Sequence, residues 1–332
     1  MKRIVKPTVS DYNTNKQLIE DLVKEYPFLK VDISGRTVLG RGIFSFSLGS
    51  LHNSVIIAGG FDGSDGISPL LLYMFIEDVC RSIKEKQELC GVNIRRALSQ
   101  LGITVIPSVN PDGREINLYG TKGARALGKF VSSLDCDSFS AWKSNSRGVD
   151  IRKNFTGNFE KFKKREAENG ITSPSPSDFT GEYPESEAET KALTRLCRVR
   201  SFRQCLSVSS GDETLISAPD NHLIPESELM SKIIAQGCSY PLLQTEDEDI
   251  CGFPFWFSKE MKRPAFELKA DETGTYEDCD KIYEKVKEAF TVFSLMGEIL
   301  QVNKKPSEHK LFGRHLILPT KEIIVEEVFK AA

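Results

Sequence analysis

The sequence predicts an α/β fold, a mixed and mostly central-parallel sheet sandwiched by helices. Three observations predict it. Ser54 to Ala58 is an apolar run of strand length that leads through the glycine-rich turn GGFDGSDG into a helix starting at Ser68 and Pro69. That helix carries Leu70, Leu71, Met74, Phe75, Val79 and Ile83 at helical spacing and precedes a second apolar strand, Ile103 to Ile106. Strand, helix and strand in this order imply a right-handed parallel crossover. Towards the other end, a strand over Ala265 to Ala270 is followed by a long amphipathic helix over about 276–300.

The remaining elements fall between these anchors. Alternating residues in Arg36 to Leu48, interrupted by Gly40 and Gly42, read as a hairpin opening the sheet. Pro111, Asp112 and Gly113 read as a turn after the second strand. A polar stretch over about 114–185 holds only short structural signals, too much loop for a compact domain unless it builds a binding surface. PESEAETKALTRLC then supplies a helix with acids in its first turn, Gln204 to Ser209 a strand, and residues 225–237 a further helix. Domain organisation reads as one unit over 1–303 and a C-terminal extension over 304–332.

A net charge of -3 without blocks of like charge argues against nucleic acid or an anionic membrane as partner. Eight scattered cysteines without CxxC spacing read as reduced thiols. With no apolar signal-like segment at the start and no membrane-length apolar run, the expected location is cytoplasmic.

Several segments fall in a familiar order: GRTVLGRGIFSFSLG, VIIAGGFDGSDGISPLLLYMFIEDV, VIPSVNPDGREI, WKSNSRGVDIRKNF, GEYPESEAETKAL, LSVSSGDE and KRPAFELKAD. Together they resemble the zinc metallocarboxypeptidase family of carboxypeptidase A, in particular its bacterial branch of γ-D-glutamyl-diamino-acid peptidases, over about residues 11–300. The resemblance implies a site where a His-x-x-Glu loop and a later histidine hold zinc with one position open for water, and a strand-end glutamate acts as general base. In this sequence the ligand positions fall on Asp62, Asp65 and Ser209, and the general-base position on Lys269, which is not expected to be catalytic.

These substitutions change the charge of the centre. A divalent ion beside Asp62, Asp65 and Lys269 would leave a net positive site, whereas the side chains alone leave a net negative one. The expectation is therefore no metal cofactor, with the Lys269 ammonium paired to Asp62, Asp65 or both. The alternative is that Lys269 extends outward and the aspartates bind the turn amides. The resemblance further implies a substrate-binding group at Lys143, Arg152, Lys153 and Asn154, cationic as in the family, although Lys153 cannot form arginine's bidentate fork. Cys251 and the four histidines lie outside any catalytic motif, and the cleft loop Asp247 to Ile250 lacks the family's tyrosine.

The sequence thus reads as a carboxypeptidase-fold protein that has lost zinc and peptidase activity and binds a peptide or small anionic ligand in the old cleft. The alternative reading is an active metallocarboxypeptidase or γ-D-glutamyl-diamino-acid peptidase with a non-standard metal site, zinc being its cofactor. In that case Asp212 or Glu213 would complete the ligand set.

Overall fold

The computed structural model describes residues 3–134, 136–244, 252–271 and 275–304. Residues 305–332 of the C-terminal extension and the segment holding Asp247 to Cys251 lie outside them. The strands are β1 (Lys30–Arg36), β2 (Gly42–Gly49), β3 (Ser54–Gly59), β4 (Gly102–Ile106), β5 (Cys205–Ser209), β6 (Thr214–Ser217), β7 (Leu242–Gln244) and β8 (Ala265–Lys269). The principal helices are α1 (Tyr12–Glu25), α2 (Ile67–Glu85), α3 (Pro111–Tyr119), α4 (Ala188–Arg200), α5 (Ser227–Cys238), α6 (Gly252–Met261) and α7 (Cys279–Lys304).

The strands form one eight-stranded sheet in the order β1-β2-β4-β3-β5-β8-β6-β7. Its centre, β4-β3-β5-β8, is parallel, and β1, β2 and β6 join antiparallel to their inner neighbours. Both faces are covered, as the unbroken apolar run of β3 requires. Val55 and Ile57 enter the core formed with α2, α5 and α7, while Ile56 and Ala58 enter the core formed with α4 and α6. The period-two alternation of a strand thus divides one apolar segment between two layers.

That alternation also sets the site. In β5, Leu206 and Val208 point into the first core, as do Phe266 and Leu268 in β8. Ser207, Ser209, Glu267 and Lys269 therefore share the opposite face at the carboxyl ends of parallel strands, where α/β sheets open their crevices.

Two local readings change. The opening hairpin begins at Lys30 rather than Arg36, because β1 is an edge strand exposed along much of its length and carries little apolar signal. Pro111 opens α3 instead of closing a turn: the Asn110 side chain caps the helix by accepting from Gly113 N at 2.8 Å, and proline suits the first helical position. The seven described cysteines are unbridged. Burial pushes the Cys80 and Cys197 thiols well above their ordinary range. No described helix is long and apolar enough to cross a membrane.

Arg41, at the start of β2, ties the hairpin to α3. It is 2% exposed, contacts Asp112 at 2.7 Å and Glu115 at 3.3 Å, and donates to Gly123 O at 2.8 Å. Removing one member of so buried a pair strands the other charge. Arg41→Met should therefore lower stability in urea unfolding by about 3–5 kcal/mol, with Asp112→Asn in the same chain recovering part of the loss.

Candidate functional site

The loop after β3 carries Asp62 and Asp65 and is held from three sides. Gly63 N donates to Lys143 O at 2.8 Å, Asn110 Nδ2 donates to Phe61 O at 3.1 Å, and Arg114 Nη1 reaches Gly63 O and Ser64 O at 3.4 Å. A side chain at Gly63 would stand 2.7 Å from the Gly113 carbonyl, so the close approach requires glycine.

Asp65 is the most fully engaged group. Its Oδ1 accepts from Ile67 N at 3.2 Å, Ser68 N at 2.9 Å and Ser210 Oγ at 2.7 Å. Its Oδ2 accepts from Ser68 Oγ at 2.5 Å and Ser210 N at 3.3 Å. One carboxylate therefore joins the loop, the first turn of α2 and the end of β5. Asp62 accepts from Ser64 N at 2.8 Å and Ser64 Oγ at 2.7 Å. Burial, reinforced by the Asp150 carboxylate, raises the Asp62 carboxyl above its ordinary range, while Arg152 and the Ser64 hydrogen bonds pull it back.

Lys269 does not pair with either aspartate. Its stem lies over Gly211 and its ammonium stands 3.9 Å from Asp212 Oδ1, while the aspartates bind turn amides. The expected pairing is thus corrected in favour of the outward alternative. The reason is position: Lys269 is the last residue of β8, level with Ser209 and beside the turn at 210–213. The acid of β8 that reaches the site is Glu267, two residues upstream. It is fully buried and accepts from Ser209 Oγ at 2.9 Å. Sequence reading missed it, although a lone acid inside the buried strand AFEL is a signal in itself.

The cation near these carboxylates is Arg152. Its guanidinium lies 3.7 Å from Glu267 Oε1 and acts electrostatically on Asp62. Lys153 contacts Asp178 and lies 3.9 Å from Asp150 Oδ2. Against the effect of burial, the Lys153 and Ser177 hydrogen bonds and the Lys153 charge hold Asp178 below the ordinary carboxylate range, and the exposed Lys143 adds a smaller positive field. Asn154 is fully buried and spans the interior, donating to Thr180 O, Tyr183 O and Ser186 Oγ and accepting from Glu187 N. Asp62, Asp65, Ser209, Glu267 and Arg152 thus converge, with Lys143 and Lys153 at the flank and Asn154 behind. Asp212 and Glu213 turn to Lys269 and Lys285 instead.

A family model described as zinc carboxypeptidase matches residues 15–292. The chain belongs to the zinc carboxypeptidase family. It is 26% identical over 281 residues to gamma-D-glutamyl-L-diamino acid endopeptidase 1 of Lysinibacillus sphaericus, covering 83% of this chain and 69% of that protein. It is also 26% identical over 212 residues to carboxypeptidase B of Rattus norvegicus, covering 62% of this chain and 46% of the other. The fold matches a crystal structure of thrombin activatable fibrinolysis inhibitor (TAFI) with a TM-score of 0.68 at 17% identity, over 91% of this chain and 81% of that one. Carboxypeptidase A from Helicoverpa armigera gives a TM-score of 0.65 at 14% identity, over 90% and 75% of the respective chains.

Membership in the zinc carboxypeptidase family implies a metal, and the donors present do not fit zinc. Hydrogen bonds occupy both Asp65 oxygens, the Ser209 hydroxyl spends its proton on Glu267, and a guanidinium already stands beside the carboxylates. Neither imidazole nor thiolate is among these groups, the ligand types zinc favours. Among the described residues, no three His, Cys, Asp or Glu side chains are grouped closely enough to hold an ion.

Behind the site, Asn145 Nδ2 donates to Glu187 Oε2 at 2.8 Å and Glu189 Oε2 at 3.3 Å. Burial, with Asp112 and Glu187 adding repulsion, pushes Glu189 up to about 8. An unfolded glutamate titrates near about 4.3. Between these values the folded protein retains a proton that the unfolded chain has released, so stability falls as pH rises through the window. Glu189→Gln should flatten the stability profile there in denaturant titrations from pH 4 to about 8.5. Arg152→Met should raise the Asp62 carboxyl further, read as a shift of its carboxyl carbon resonance to higher pH.

Proposed function

We propose that this protein is a zinc-free, non-hydrolysing member of its family that uses the inherited cleft to bind a peptide terminus or small anionic ligand. The observation that carries the reading is Arg152, which stands beside Glu267 and acts on Asp62 at one of the ligand positions. A guanidinium there supplies the positive charge that buried carboxylates need, and repels a divalent ion. Lys143, exposed and without an ion pair among the described residues, is the group most available to a ligand's carboxylate, and Arg152 and Lys153 add positive charge nearby.

One observation favours hydrolysis by a non-standard centre: a buried glutamate, Glu267, survives on the strand to which the resemblance assigns the general base. The name of the Lysinibacillus relative points to γ-D-glutamyl-diamino-acid peptides as its trial substrates.

Elemental analysis joined to peptidase assays separates the two. The expected outcome is no co-purifying transition metal and no turnover of C-terminal or γ-D-glutamyl-diamino-acid peptides. Stoichiometric zinc together with hydrolysis lost on Asp62→Ala would overturn the proposal. Asp62→His, Asp65→Glu and Ser209→His together should bind zinc only when Arg152 is also replaced by a neutral residue.

A further inference from the structure

A second cavity, of about 380 Å³, lies outside the cleft, between the β1–β2 turn and the long stretch that the sequence marks as a binding surface. Its lining includes none of Asp62, Asp65, Ser209, Glu267, Lys143, Arg152 or Lys153. Leu127, Phe130, Val149 and Phe179 give it an apolar wall. Arg147, Glu182 and Glu187 supply its charges.

The charged groups are arranged for a ligand that carries both signs. Arg147 is 45% exposed, and its only side-chain partner among the described residues is Glu187, in a loose contact of 3.8 Å from Nε to Oε2. The terminal nitrogens of its guanidinium thus keep their donors, the planar fork that matches a carboxylate. Glu182 is exposed and has no side-chain partner among the described residues, whereas Glu187 is buried on Asn145 and Ser186. The loop is built to hold Arg147 here. Asn145 Oδ1 accepts from Arg147 N at 2.9 Å and Val149 N at 3.1 Å. Gly148, at φ +70°, packs so closely on Pro174 that an added side chain would stand 2.9 Å from that ring.

We propose that this cavity binds a free apolar α-amino acid as its zwitterion. The carboxylate sits on Arg147, the ammonium faces Glu182 and Glu187, and the side chain lies against Phe130 and Phe179. The volume is at the small end of ligand pockets, which favours one residue over a longer peptide. Adjacent charges of opposite sign match an amino acid, whose two ionic groups share one carbon, and not a peptide, whose termini stand apart. The inference is independent of whether the cleft hydrolyses anything.

Calorimetric titration with L-leucine and L-phenylalanine tests it, with leucinamide and N-acetyl-leucine as controls. Saturable binding is expected for both amino acids. Each control lacks one ionic contact and should bind about tenfold or more weakly. Arg147→Ala and Glu182→Gln, both at exposed positions, should weaken leucine binding by a similar factor, while Asp62→Asn in the cleft leaves it unchanged. The proposal is overturned if neither amino acid binds up to its solubility limit, or if N-acetyl-leucine binds as well as leucine. It is equally overturned if Arg147→Ala has no effect, or if Asp62→Asn abolishes binding.

Discussion

The Asp65 carboxylate holds the centre of this protein together. Five hydrogen bonds converge on it from the first turn of α2 and from Ser210 at the end of β5. Elsewhere in such folds a metal ion can tie strand ends to one another, because it draws ligands from several segments at once. Here hydrogen bonds to one anion provide the tie. Charge-assisted bonds of this kind are stronger than neutral ones, and these sit at the head of a helix, where the dipole suits an acidic side chain.

That anchor leaves a surplus to be balanced. Asp62 and Asp150 lie close enough for their fields to overlap, and the fully buried Glu267, 3.7 Å from Arg152, is the carboxylate least able to rely on solvent. Arg152 reaches into this group from a short helical turn whose start is set by Asp150, which accepts from the Arg152 amide at 3.1 Å. Arginine suits the task because it stays charged and is more weakly hydrated than an ammonium. Lys269 could not have served from its place in β8: its stem is committed to the surface of the Gly211 turn.

The fold was legible because its central strands announce themselves. Apolar β3 and β4, with α2 between them, fix the parallel core, and the succession of motifs fixes the family. The edges were not legible: β1 is largely exposed, and β6 and β7 are too short to show a period. At the site, Asp62, Asp65 and Ser209 were legible only through the resemblance to the family, and they lie on the β3 loop and at the end of β5. Which cation serves them was not, because ion pairing depends on where side chains of separate segments end, and a sequence does not state that. Glu267 was passed over for Lys269, although the alternation that buries Phe266 and Leu268 on one face leaves Glu267 directed to the other.

The crowding of the β3 loop leaves its backbone little room to move. Gly63 is pressed against the Gly113 carbonyl, and Arg114 grips the Gly63 and Ser64 carbonyls. A residue placed at 62 or 65 therefore inherits a backbone path fixed by α3, whatever its side chain.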